Sequence, residues 1–233
     1  VLFDLKESLA RSLDLEIGYG SYELVRGAAR LTDRNFLGRG RTFTAEISGC
    51  VRGGGADIAI TDPYLLGPRN VLQVGTGFLY REEPSFDLQS FHANLLVKRE
   101  ISKRWSATGG YSFRDEQATN VKVPIDAEAE GFIRTAGLVF GLTRDSRDSA
   151  FLPSTGMLWQ GGLLWSSPSL GADLDFIELD TQFAKFFRLR PGTVLGITGR
   201  FRARHILNSD PDLPIQQRYF LGGATTVRSF YED

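Results

Sequence analysis

The residues that could make or break bonds are few, and they are poorly placed to act together. The stretch Thr143-Arg144-Asp145-Ser146-Arg147-Asp148-Ser149 gathers carboxylates and guanidiniums within one turn, a grouping that general acid–base chemistry can use. Charges this close along a chain usually pair with each other, so Asp145, Arg147 and Asp148 read as the fastening of a turn. His92 and His205 fall on separate strands, and neither has an acid-rich motif beside it. Each reads as a lumen or interface side chain. Cys50 is the single cysteine, and with two histidines it can build neither an internal disulfide nor a zinc framework. Next to Val51 at a strand end, it reads as a small apolar filler. Gly53-Gly54-Gly55 lacks the Lys-Ser/Thr pair and the helix that a phosphate loop requires. The sequence therefore predicts no enzyme, no cofactor and no metal site.

Composition narrows the rest. With 42% hydrophobic and 24% charged residues in 233, the chain can bury a sizeable core and is not disordered throughout. Lys+Arg 27 against Asp+Glu 28 leaves a formal charge of −1, so no bulk field favours nucleic acid. Gly 26 and Phe 17 against Met 1 point to many short strands and turns. A membrane helix needs about 20 apolar residues in a row. The best runs, 161–165 and 137–142, are far shorter. Barrel strands escape that test because half their side chains are polar. The opening Val1-Leu2-Phe3-Asp4-Leu5-Lys6-Glu7 has no basic n-region, apolar core or cleavage site, so it does not read as a signal peptide.

The elements that must carry these residues show a period of two. Phe43, Ala45, Ile47, Gly49 and Val51 oppose Thr42, Thr44, Glu46 and Ser48. Phe91, Ala93, Leu95 and Val97 oppose Ser90, His92, Asn94 and Lys98. Trp105 to Phe113, Ile177 to Phe183 and Leu195 to Ala203 repeat the pattern, the last against Thr198, Arg200, Arg202 and Arg204. Eleven strands are predicted: 13–22, 25–31, 42–51, 56–64, 71–80, 89–99, 105–114, 132–143, 157–165, 177–187 and 195–204. Only 126–130 has helical propensity, and it is too short to matter. Tight links (33–40, 66–70, 101–104, 190–192) are expected to alternate with longer polar ones (82–87, 116–130, 166–175, 208–215). Transmembrane meanders are laid out this way, with short periplasmic turns and longer outer loops.

Alternating strands suit either a soluble sandwich or lipocalin-like barrel with apolar residues inside, or a membrane barrel with them outside. Full charges stand in mid-strand on the polar lanes: Glu46, Lys98, Arg134, Glu178, Asp180, Arg200, Arg202 and Arg204. Trp105, Tyr111, Trp159, Trp165, Tyr64, Tyr80 and Phe187 are expected near strand ends on the apolar face, where aromatic girdles lie. Together with the loop pattern these favour an antiparallel transmembrane β-barrel. Single-chain barrels usually have an even number of strands, and an unpaired edge cannot be solvated by lipid. Eleven strands therefore read as a truncated barrel.

Three stretches resemble the bacterial surface antigen family of outer-membrane assembly factors, the BamA/TamA group. Ile17-Gly18-Tyr19-Gly20-Ser21-Tyr22-Glu23 and Asn35-Phe36-Leu37-Gly38-Arg39-Gly40 look like its opening strands and their turn. Asp145, Arg147 and Asp148, running into Pro153 and Gly156, resemble its mid-barrel turn. Gly222-Gly223-Ala224-Thr225-Thr226-Val227-Arg228-Ser229-Phe230 is similar to the signature of its sixth extracellular loop. The resemblance implies that residues 9–233 are about the first eleven strands of an expected sixteen or so, ending in that loop. Residues 1–8 would close a POTRA domain and link it to the barrel. Arg228 would reach a carboxylate on a late strand, and Gly222 and Gly223 would let the chain reverse. Ser229 departs from the usual family glycine. The resemblance further implies a seam at which substrate strands pair with the first strand, here Leu13, Leu15, Ile17, Gly18, Tyr19 and Gly20, which the two glycines weaken.

The function implied is insertion and folding of other β-barrel proteins in the outer membrane of a Gram-negative bacterium. The implied partners are unfolded barrel substrates, the lipid bilayer with its lipopolysaccharide, and accessory lipoproteins, with no nucleic acid and no cofactor. The alternatives are a two-partner-secretion transporter that exports a passenger, a passive porin-like channel, and a soluble binding barrel.

Overall fold

A strand that alternates apolar and polar side chains separates two media, and its backbone groups need a partner strand on either side. The computed structural model describes residues 9–20, 24–65, 67–122, 131–207 and 217–219. There the chain forms one antiparallel sheet of eleven strands in chain order. The strands are β1 (Arg11–Gly20), β2 (Leu24–Phe36), β3 (Arg41–Cys50), β4 (Gly53–Asp62), β5 (Asn70–Glu82), β6 (Asp87–Ser102), β7 (Trp105–Thr119), β8 (Gly131–Asp145), β9 (Gly156–Ser166), β10 (Phe176–Arg190) and β11 (Thr193–Ile206). All eleven predicted strands are present. The one helical piece among the described residues is a 3₁₀ turn, Pro168–Leu170. The predicted end of a POTRA domain (1–8), the stretch 126–130 and the loop motif Gly222, Gly223, Val227, Arg228, Ser229 and Phe230 lie outside the described residues.

Several strands run further than their alternation. β6 and β7 extend past the predicted 89–99 and 105–114 because both faces turn polar there, as in Arg114-Asp115-Glu116-Gln117. Pairing continues where the apolar lane has stopped, with Glu116 opposite Ser90 and Ile133. Tyr111 therefore lies in mid-strand rather than near an end, and its hydroxyl donates to the Leu170 carbonyl at 2.8 Å.

Short and long links alternate only in part. The β1–β2 and β3–β4 links, residues 21–23 and 51–52, are short, yet they lie at the end of the sheet that carries the long ones. At the opposite end residues 146–155 make a long link between β8 and β9. We call these the loop end and the turn end. Length follows what a link holds: two residues suffice for a hairpin, whereas 146–155 is tied around Asp148.

The apolar lanes are exposed. Ile17 is 92% accessible, Phe201 57% and Phe140 52%, and Leu95, Phe78 and Phe183 are also exposed. The opposite face carries the ion pairs and receives residues 217–219. Gln217 donates to Glu116 of β7 at 2.7 Å and accepts from Arg204 of β11 at 3.0 Å. Strands four places apart stand about 19 Å from each other across a flat sheet. Their perpendicular side chains meet at one carboxamide because this face is concave. Arg134 corrects one expectation: its register places it on the outer face with Leu138 and Phe140 rather than on the inner lane. There β8 outruns β9, and Arg134 is held by Asp173 of the following loop at 3.0 Å.

Candidate functional site

The inner face is a wall of charges set opposite one another by register. From β1 to β7 one row reads Asp14, Arg30, Glu46, Asp57, Gly77, His92, Arg114. Arg30 Nε donates to Glu46 at 2.8 Å. Glu46 and Asp57 face each other as like charges, an arrangement that costs stability unless each finds its own partner. Asp57 finds His92 at 3.1 Å, two strands away. Gly77 makes that reach possible: a Cβ there would overlap Asp57 Oδ1 and fall 2.7 Å from His92 Cε1.

The densest part of the wall is at β10–β11, where Glu178, Asp180 and Gln182 stand opposite Arg204, Arg202 and Arg200. Arg204 Nη2 lies 2.5 Å from Glu178, and Asp180 accepts from Arg200 at 2.6 Å and from Arg202 at 2.8 Å. Side-chain accessibilities of 11% for Arg204 and 16% for Glu178 make this a largely desolvated pair. Arg204 stacks 4.3 Å above the Phe176 ring and donates to the Gln217 carbonyl at 2.9 Å. Tyr219 donates to Glu178 at 2.8 Å, with Arg202 5.2 Å from its ring centroid. Glu116, Glu178 and Asp180 thus balance Arg200, Arg202 and Arg204, and residues 217–219 are fastened among them. Such an array can hold a chain segment against a wall. Among the described residues no group of His, Cys, Asp and Glu could hold a metal ion.

The strand named in sequence as a seam is β1. Leu13, Leu15, Ile17 and Tyr19 form its exposed apolar lane, and Gly18 and Gly20 lie on the inner face opposite Arg26 and Leu24. β1 pairs with β2 from Arg11 to Gly20 without a register break. A Cβ at Gly20 would meet nothing within 4 Å, and one at Gly18 only the flexible Arg26 side chain, at 2.9 Å. Neither space nor backbone requires a glycine at these positions.

The turn motifs show why their residues are needed. Asn35 accepts from Gly38 N–H through its carbonyl and from Gly40 N–H through its side chain, both at 2.9 Å. Gly38 and Gly40 take the left-handed backbone, at φ 68° and 65°, that this closure demands. In the second motif Arg147 pairs with Asp145 at 2.8 Å. Asp148 accepts from Ser154 N–H at 2.8 Å, Thr155 N–H at 3.1 Å and the Ser154 hydroxyl. The hydroxyl and the two N–H groups hold its carboxyl well below the usual carboxylate range. Pro153 precedes Ser154 in this link, and Gly156 follows at φ 96°, where a Cβ would overlap the Ser146 carbonyl oxygen.

Sequence reasoning missed Gln217, Tyr219, Asp173 and the Asp57–His92 bond, all of which depend on long-range register. One overlooked signal is local: Asp62 and Asp145 at strand ends, and Asp33 where the β2–β3 register breaks, each accept from the N–H two residues on.

An exposed apolar lane outside, a charged wall inside and a meander of antiparallel strands define a transmembrane β-barrel. A family model described as the Omp85 superfamily domain matches residues 35–233. The chain belongs to the Omp85 superfamily, whose members are proteins of the Gram-negative outer membrane. It is 30% identical over 121 residues to the outer membrane protein assembly factor BamA of Nitratidesulfovibrio vulgaris, a match covering 52% of this chain and 14% of that protein. It superposes, at a TM-score of 0.83 and 19% identity, on the crystal structure of BamA from Haemophilus ducreyi lacking POTRA domains 1–3. That match covers 97% of this chain and 47% of the other, so the chain spans about half of that solved structure.

Proposed function

We propose that this chain is the first part of the barrel of an assembly factor that inserts and folds β-barrel proteins into the outer membrane. The likeness to BamA supports this reading, and one observation in the structure carries it. β1 presents a paired, exposed apolar strand whose inner carboxylates, Asp14 and Glu16, meet no cation within ion-pair distance among the described residues. Apart from one outer-face ion pair to β2 at the turn end, Arg11–Asp33, this strand is held by its backbone, and a strand with no bolts along its inner face can exchange partners, as β-augmentation requires. The substrates in this reading are unfolded barrel proteins, working beside lipid, lipopolysaccharide and accessory lipoproteins. The turn end faces the periplasm.

The test uses the full-length protein in vesicles, with a urea-denatured outer-membrane barrel as substrate and folding followed by its gel shift. Faster substrate folding than in empty vesicles is expected, and equal rates would sink the reading. Gly18→Val with Gly20→Val should slow that folding by tightening the seam. Unchanged folding rates and unchanged seam crosslinking would remove the glycines from the mechanism.

A further inference from the structure

Cations on the outer face of a barrel are costly to place against acyl chains and need a reason. At the turn end of the sheet the outer-face carboxylates Asp33 and Asp62 are each held by an arginine, Arg11 at 2.9 Å and Arg41 at 2.8 Å. The outer-face cations Arg99, Arg144 and Lys185 have no such partner among the described residues. Arg144 is the most constrained of them. Register sets it directly between Trp105 of β7 and Trp159 of β9, on one face. The two indoles pack edge to face with centroids 6.3 Å apart, and the Arg144 guanidinium lies 5.5 Å from the Trp105 ring centroid. Its Nε is buried without a hydrogen-bond acceptor.

We propose that Arg144, lying against Trp105 in the Trp105–Trp159 pair, binds the phosphate of an anionic glycerophospholipid in the leaflet around the turn end. The proposal rests on the reading that the apolar face lies in the membrane. A guanidinium held against an indole keeps its planar fork pre-organised, and that fork matches two phosphate oxygens. With Nε enclosed, the terminal Nη groups, which have no carboxylate partner among the described residues, are the donors that a lipid phosphate at interface depth can reach. Tryptophans prefer this same depth, so the rings position the cation at headgroup level. Lys185, 5.6 Å from the Phe187 ring, and Arg99 add unpaired positive charge on the same rim, which selects for a net negative headgroup.

The full-length protein is reconstituted in phosphatidylcholine vesicles. Its tryptophan fluorescence is quenched with dibrominated phosphatidylglycerol or, at equal mole fraction, dibrominated phosphatidylcholine. Subtracting the signal of the Trp105→Phe/Trp159→Phe variant isolates these two rings. The wild type should prefer the anionic lipid about fivefold, the factor expected of one cation at a lipid surface. Arg144→Gln should bring that ratio to near one. Arg144→Lys, which keeps the charge but loses the fork, should fall between, and tighter binding by lysine would rule out the stacked guanidinium as the ligand. Quenching by both lipids without preference in the wild type, or a preference that survives Arg144→Gln, overturns the headgroup site alone. Quenching by neither lipid overturns the lipid-facing reading itself.

Discussion

β1 and β10 each carry two inner-face carboxylates one residue apart, Asp14 and Glu16 on one strand, Glu178 and Asp180 on the other. β11 answers β10 with Arg204 and Arg202 directly opposite, and both pairs close. β2 answers β1 with Arg30 opposite Asp14 and Ala28 opposite Glu16. Arg30 turns the other way, to Glu46 on β3. The same acidic pattern thus gives an inner face that is riveted at one edge of the sheet and unriveted at the other. Acidic residues on a strand do not fix it in place; the register of its neighbour, and what else that neighbour can reach, decides.

The largest effect that should distinguish the two edges comes from removing the cation on each side. Arg204→Leu leaves Glu178 in a dry pocket and releases Gln217, and should lower unfolding stability by about 3 kcal/mol or more. Arg30→Leu breaks a more solvated pair and should cost about 1 kcal/mol at most. Urea midpoints of the full-length protein in vesicles measure both, and equal losses would erase the distinction. Next in size is Gly77→Val in the wall between the edges. It forces Asp57 and His92 apart and should cost about 2 kcal/mol, against a smaller loss for His92→Gln, which leaves the backbone alone. At the unriveted edge the sign reverses: Gly18→Val with Gly20→Val should raise stability by about 1 kcal/mol, since both sites admit a side chain. A loss there would mean the inner face of β1 is more tightly packed than its surroundings show.

The smallest effect is at the β8–β9 link. The Asp148 carboxyl is held below its ordinary pKa, so its contribution is complete above about pH 4 and is lost as the pH falls toward the depressed value. The wild type should therefore exceed Asp148→Asn in thermal midpoint at neutral pH, and the gap should close in acid. A gap that widens on acidification would contradict the hydrogen-bonded turn.

Strand number and facing were legible because every apolar lane has to meet lipid, and the alternation is hardest to mistake where both faces are committed, as from Leu195 to Arg204. Strand ends were not, since beyond the apolar band residues such as Arg114, Asp115 and Glu116 meet polar surroundings on both faces and lose their period. Arg134 was assigned to the wrong face for this reason. The turn motifs were readable as chemistry: Asn35, Gly38, Gly40 and Gly156 are specified by local backbone geometry. The fastening of residues 217–219 was not, because Glu116 and Gln217 are joined across a sequence separation of 101 residues. No local spacing encodes a contact that the curvature of the sheet creates.

That contact makes shape and segment interdependent. One amide group is the common hinge pin for a strand in the middle of the sheet and a strand at its rim, so withdrawing it would leave Glu116 on the one and the Arg204–Glu178 pair on the other with no bridge between them. They would then either draw together, tightening the arc, or hydrate separately and let it relax. The position of a few residues inside the vessel thereby sets how wide the vessel stands.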